Sequence, residues 1–304
     1  MGHPRHRSRC VCNCDPGGDA RPCYPSDLSD AAWAVIAPLM PVRDQSRGGA
    51  PRKYGDRLVL DAIFFVLRSG CQWRMIPRDL LPWDAACRWY RAWIADGTWD
   101  RVHDALRDQV RIRQGRDPAP SAGVLDAQSI LTGEGGQDRG YDAGKRTRGR
   151  KRHLVTDTLG LLLVVMVTSA SVQDRHGGEA ILDRLAAHFP SIALIWADAG
   201  YANQIDEGLV TWARTAISVV LQIVRRNDDV KGFQVLPRRW VVERTFAWLG
   251  RYRRNSKDYE RLVESSESMI KISSIHRMLR FLKPDKSKKP NPFHYRKTQE
   301  IFSG

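Results

Sequence analysis

The amino-acid sequence predicts an α/β chain: a small all-helical domain over residues 24–114, then a mixed-sheet domain over residues 123–283. Three observations predict it. Apolar residues recur at helical spacing as far as Val110. Beyond Gly115-Arg116-Asp117-Pro118-Ala119-Pro120-Ser121 the pattern changes to short apolar runs alternating with helical stretches, which makes residues 115–122 a linker. Two of those runs end in an aspartate. A hydrophobic fraction of 42% with ten Trp in 304 residues excludes a largely disordered or collagen-like chain.

In the first domain, Ser and Asp residues around Ser26-Asp27-Leu28-Ser29-Asp30 offer N-caps for a helix carrying Trp33, Ile36 and Leu39, closed by Pro41. Gly48-Gly49-Ala50-Pro51 is a loop. Leu60, Ile63, Phe64 and Leu67 share one face of a helix over Asp56–Ser69, stopped by Gly70. Residues 83–95 and 98–113 give two more helices, the first with Trp83, Trp89, Tyr90 and Trp93 as core.

In the second domain, Gly123–Asp126 is a short strand. His153–Asp157 and Leu161–Thr168 flank Thr158-Leu159-Gly160 as a β-hairpin. A helix over 178–189 follows, then a strand from Ile192 that ends at Asp198, a helix over 204–214 and a strand over 217–224. Helices over 238–249 and roughly 260–282 close the chain. Three strands antiparallel in sequence, then two parallel to the first, make a mixed sheet covered by helices, the arrangement of a ribonuclease-H-like fold.

The formal charge of +15 is uneven: +5 over residues 1–122, −1 over 123–220 and +11 over 221–304. Basic ends around a near-neutral middle suit a polyanionic partner, since Lys and Arg bind phosphates by releasing counterions. Inside that middle, Arg139–Arg152 holds seven cations and one acid. Phosphate contact is favoured for this run over a merely solvated loop. The longest apolar run, Leu159–Val167, is about half of the ~20 residues a membrane span needs. Residues 1–23 are polar and basic, so neither a membrane protein nor an exported one is expected. Cys10, Cys12 and Cys14 do not match the Cys-x2-Cys hook of a zinc site, and a disordered leader is preferred for this segment. Residues 284–304 form a basic tail.

Three acids stand where that fold would gather them: Asp126 and Asp198 at strand ends, and Glu243 on a helix. Sparse carboxylates completed by water suit hard divalent ions beside phosphate substrates. Two such ions can activate a water or a 3′-hydroxyl and stabilise the leaving oxygen of a phosphodiester. Taken singly, each aspartate also fits a strand-end turn, and Glu243 an exposed charge paired with Arg239 four residues before it.

Four segments carry a resemblance: Gly70-Cys71-Gln72-Trp73-Arg74-Met75-Ile76-Pro77, Gly140-Tyr141-Asp142-Ala143-Gly144-Lys145, Gly149-Arg150-Lys151-Arg152-His153, and Arg238 to Leu249. Over Tyr24–Leu282 the chain resembles the DDE transposases of bacterial insertion sequences, in the insertion-sequence-five group. The resemblance implies that Asp126, Asp198 and Glu243, separated by 72 and 45 residues, are the catalytic triad and the metal ligands. It implies two Mg²⁺ ions, replaceable by Mn²⁺, and double-stranded DNA as partner, both the element's terminal inverted repeats and the target. The glutamate-helix motif Tyr-x2-Arg-x3-Glu-x6-Lys is matched at Arg239 and Glu243. Leu236 stands at its tyrosine position and Gly250 at its lysine position, which leaves Arg251, Arg253 and Arg254 as alternatives for that cation.

The DNA-contacting set is then Lys145, Arg146, Arg148, Arg150, Lys151 and Arg152 with Arg239, Arg244, Arg251, Arg253 and Arg254. The helical domain would recognise the transposon ends. The implied activity is metal-dependent cleavage at the element's ends followed by strand transfer, by a homodimer or larger assembly in the bacterial cytoplasm. A catalytically inactive repressor and a ribonuclease-H-like nuclease that does not transpose are the alternatives.

Overall fold

A computed structural model describes residues 24–42, 53–202, 208–224 and 240–282. The leader with its cysteines, the loop at Gly48–Pro51, Arg239 and the basic tail lie outside the described residues.

Helix α1 (Asp30–Ile36) starts at Ser29, whose hydroxyl accepts from the Ala32 amide, one of the first-turn donors that has no partner within the helix. Helix α2 (Asp56–Ser69) ends as predicted, with Gly70 left-handed at φ 72°. A Cβ on Gly70 would come 2.8 Å from the Arg253 Cβ, so this glycine also lets the C-terminal part of the chain approach. Helices α3 (Trp83–Ala95) and α4 (Thr98–Arg113) follow the predicted bounds. Tyr90, Trp93 and Trp99 are buried. Trp83 departs from the core expectation, being exposed on one side and covered by the Arg74 guanidinium on the other.

The sheet has six strands: β1 (Ala122–Leu131), β2 (Gly140–Asp142), β3 (Thr147–Asp157), β4 (Leu162–Ser169), β5 (Leu194–Asp198) and β6 (Val220–Val224). β3 lies antiparallel to β1, β2 and β4, while β5 runs parallel to β1 and β6 parallel to β5. This is a curled mixed sheet of the predicted connectivity, with β2 as an unpredicted addition. β3 also begins six residues before the predicted His153, because its alternation runs back through the basic segment.

One face of the sheet buries Leu125, Val155 and Ile195 under α5 (Asp174–His188) and α6 (Gly208–Ala216). The other buries Val124, Leu154 and Trp196 under α7 (Trp240–Gly250) and Ile270 of α8 (Val263–Leu282). Helix α8 is apolar on more than one side. Met269, Ile272, Ile275 and Leu279 join the core of α1–α4, so the helices before the linker close on the last helix of the chain. The core of the helices before the linker thus includes one face of the chain's last described helix. A buried ion pair from Arg111 of α4 to Asp157, at the end of β3, fastens the same helices to the β3–β4 turn. Burial pushes the Asp157 carboxyl up, against the Leu161 amide and the Arg111 charge. No helix among the described residues is long and apolar enough to cross a membrane.

Candidate active site

β1 and β5 pair in parallel, with Gly123 against Ile195 and Val124 against Trp196. Asp126 and Asp198 each stand two residues beyond that last pair. With a side-chain period of two, both carboxylates belong to the face that carries Val124 and Trp196. That face is the one covered by α7, where Val242, Phe246 and Leu249 point into the sheet. Glu243, one residue after Val242, is exposed in the first turn of the helix. Both aspartates are half-buried and locally braced. Asp126 accepts from the Ala127 amide at 2.7 Å, and Asp198 accepts from the Gly200 amide at 2.9 Å, capping a short 3-10 turn over Ala199–Tyr201.

The donor chemistry fits a hard divalent cation, since all three groups are carboxylates. Their placement fits less closely. Among the described residues, no three His, Cys, Asp or Glu side chains converge tightly enough to hold an ion.

The basic run divides sharply. β2 and β3 form a hairpin with Tyr141 opposite Arg148, and its tip exposes Tyr141, Lys145, Arg146 and Arg148. Lys145 Nζ donates to the Ala127 carbonyl at 3.2 Å, one residue from Asp126. Asp142 accepts from Ser129 Oγ at 2.5 Å and from the Lys145 amide at 3.0 Å. Burial alone would raise its carboxyl, but these hydrogen bonds and the charges of Lys151 and Lys145 hold it below the usual range.

Arg150, Lys151 and Arg152 are interior. Arg150 is 0% exposed. Its guanidinium donates to the carbonyls of Gln137, Glu260 and Arg261 and pairs with Asp258. Arg152 donates to the Asn255 carbonyl, and burial lowers its pKa to about 10. Arg254 is likewise buried, between Glu260 and the Cys71 carbonyl. The expectation of DNA contact from Arg150, Arg152 and Arg254 is therefore corrected. Each is taken up by internal acceptors, and withdrawing it would leave buried polar groups unpaired. Lys151 is corrected on the same ground, being 4% exposed and directed inward. Arg251 and Arg253 are exposed. Arg244 lies between the rings of Trp240 and Trp248, 4.4 and 4.5 Å from their centroids, and donates to the Leu159 carbonyl.

Sequence reasoning missed this inward set and its partners Asp258, Glu260 and Asp174. One signal was available: Arg148, Arg150 and Arg152 alternate with Gly149, Lys151 and His153 in phase with Leu154 and Val155. The same strand therefore extends back through the charges. His153 sits at 0% exposure with Gly177 packed on its ring, and burial lowers its pKa to about 4.

A curled mixed sheet with two aspartates on one face, and a glutamate on the helix covering it, is compatible with a ribonuclease-H-like nucleic-acid-cleaving domain. Residues 117–275 match the family model described as a transposase DDE domain, and residues 28–103 match that of a putative transposase of the IS4/5 family. The chain belongs to the DDE transposases of IS4/IS5-type insertion sequences.

It is 32% identical over 119 residues to the insertion element IS402 uncharacterized 16.2 kDa protein of Burkholderia cepacia, covering 37% of this chain and 78% of that one. It is 30% identical over 131 residues to the putative transposase for insertion sequence element IS402 of the same organism, covering 41% of this chain and 60% of the relative. Over 75 residues it is 36% identical to the uncharacterized protein y4sN of Sinorhizobium fredii, covering 25% of this chain and 58% of that one. No solved structure matches the chain. Family membership implies an enzyme that binds DNA and cleaves nucleic acid, with the divalent-metal dependence general to such domains.

Proposed function

We propose that this transposase cuts DNA at the ends of its insertion sequence and joins the freed 3′-hydroxyls to target DNA, with Asp126, Asp198 and Glu243 as catalytic residues and metal ligands. The observation that carries this is the register. It sets both aspartates on one sheet face, and the helix bearing Glu243 covers that face.

Two Mg²⁺ ions, or Mn²⁺ in their place, would supply activation of the attacking oxygen and charge neutralisation at the leaving oxygen. The chain's own contribution is placement. β1 and β5 fix the two aspartates relative to one another through their backbone pairing. The 3-10 turn after Asp198 holds that carboxylate by the Gly200 amide. Helix α7 carries Glu243 one residue after Val242, which packs on that sheet face with Phe246. No covalent protein–DNA intermediate is required, since the nucleophile is water and then the DNA 3′-hydroxyl.

DNA reaches the site across the hairpin tip, where Lys145, Arg146 and Arg148 meet phosphates beside Asp126. Arg244 of α7, with Arg251 and Arg253 just after it, extends the basic path, and Arg239 joins the DNA-contacting set from its place in the sequence alone. The helices α1–α4 form the domain that recognises the element's terminal inverted repeats. Two ends must be held together, so the working form is at least a homodimer on DNA, in the cytoplasm of a bacterial cell.

The test is excision from a donor plasmid carrying the matching inverted repeats, followed by strand joining. Excision and joining by wild type, lost in Asp198→Asn and Glu243→Gln, is the expected result. Repeat binding without excision would instead make the chain a repressor, and cutting without joining would make it a plain nuclease.

A further inference from the structure

Lys151 is the one buried cation of the basic run that faces the α5 side of the sheet, next to the polar ends of β1 and β5. From β3, opposite Ser129 of β1 and Thr168 of β4, its ammonium donates to the Val172 carbonyl at 2.8 Å. It pairs with Asp174 at 2.7 Å and faces Asp142 at 3.6 Å. A charge this deep is tolerable only because both carboxylates compensate it, and neither carboxylate has its present surroundings without it.

The two acids lead to different halves of the proposed site. Asp142 holds Ser129 and the Lys145 amide, and Lys145 in turn reaches the carbonyl of Ala127 beside Asp126. Asp174 opens α5 and faces the turn that Asp198 caps. A methyl group placed on Gly200 would lie 3.0 Å from Asp198 Oδ1 and 3.5 Å from Asp174 Oδ2, so both carboxylates border this one glycine.

We propose that Lys151 is a positioning residue for the metal site. By neutralising Asp174, it keeps divalent cations on Asp126 and Asp198 rather than on the carboxylate beside them. The inference rests on the metal-site reading above. Without the ammonium, Asp174 stands uncompensated beside Asp198, while Asp142 keeps the Ser129 hydroxyl, the Lys145 amide and the Lys145 charge. A divalent ion is the natural counterion of Asp174, so metal is drawn more strongly but off register.

The experiment uses the full chain and two readouts: Mn²⁺ binding followed by the EPR signal of the free ion, and cleavage of repeat-bearing DNA in Mg²⁺. Lys151→Met should bind Mn²⁺ at a severalfold lower concentration while cleaving at least tenfold more slowly. Its DNA affinity and the salt dependence of that affinity should not change. Adding Asp174→Asn removes one surplus charge, and should return Mn²⁺ binding to the wild-type concentration with cleavage within about threefold of wild type. Should Lys151→Met fold poorly, Asp174→Asn alone is the control. It leaves Lys151 in surplus, and should shift Mn²⁺ binding to higher concentration.

Unchanged Mn²⁺ titrations in all three variants overturn the proposal. So does a salt slope lowered by about one unit in Lys151→Met, since that is the signature of a lost phosphate contact. Wild type that fails to cut in Mg²⁺ counts against the transposase chemistry instead, and the Mn²⁺ titrations still judge Lys151.

Discussion

Replacing Arg150 by Met tests whether the basic segment of β3 serves the fold or the DNA. The substitution keeps an unbranched side chain of similar reach and removes every donor. Five contacts go with it: two to the Gln137 carbonyl at 2.9 and 2.7 Å, one each to the carbonyls of Glu260 and Arg261 at 2.9 and 2.8 Å, and the pair with Asp258 at 3.3 Å. Breaking one side of a buried ion pair costs about 3–5 kcal/mol, because the remaining charge stays buried. The lower end applies. Arg254 remains bonded to Glu260, Arg152 stays beside both acids, and Asp258 keeps the Ser266 hydroxyl at 2.6 Å. The expected loss is about 3 kcal/mol, a large fraction of the roughly 5–15 kcal/mol that holds a domain folded. Urea unfolding should show it as a lower midpoint at constant slope. DNA binding measured against salt, under conditions where the variant is folded, should keep its wild-type slope. A stability change below about 0.5 kcal/mol, together with a slope reduced by about 0.9, would place Arg150 on a phosphate and refute the buried assignment.

Neutralising Lys145, Arg146 and Arg148 together should do the reverse, lowering the salt slope by about two to three units with little change in the urea midpoint; an unchanged slope moves the DNA path elsewhere. His153 predicts an acid sensitivity. Its folded pKa of about 4 lies below the unfolded 6.5, so the unfolded chain binds more protons between those values. Its contribution, about 3 kcal/mol, is fully present above pH 6.5 and lost as pH falls toward 4. His153→Gln should flatten that part of the stability–pH curve, and a curve identical to wild type would remove His153 as its source. Gly70→Ala should cost at least ~1 kcal/mol by urea unfolding, because the left-handed backbone and the Arg253 Cβ at 2.8 Å both oppose a methyl group. A neutral substitution there would mean that the two segments do not meet.

The helices announced themselves well, and for a definite reason. Asp56–Ser69 carries its own boundaries, with apolar residues on one face and a glycine free to turn left-handed at its end. The order and direction of the strands were legible for a similar reason, since apolar runs bounded by turn residues leave few ways to pair. The site was legible in part. Asp126 and Asp198 were marked by their place after apolar strands, and their shared face follows from period-two geometry. What failed was the meaning of charge. Seven cations in fourteen residues suggest a solvent-facing loop, and no local rule shows that Arg150 will meet Asp258 from 108 residues away. The place of α8 was out of reach for the same reason: its membership in the core of α1–α4 depends on contacts across nearly the whole chain.

The central claim is that Asp126, Asp198 and Glu243 act together on DNA held by other residues. Its most direct test is cleavage of a labelled duplex carrying the element's end, in Mg²⁺, by wild type, Asp126→Asn, Asp198→Asn and Glu243→Gln, with DNA binding measured in parallel. Wild type should nick at the element's end. Each variant should bind the duplex within about threefold of wild type and cut it at least 10²-fold more slowly, a loss of roughly 3 kcal/mol in transition-state stabilisation. Cleavage at the wild-type rate by any one of the three would contradict the central claim.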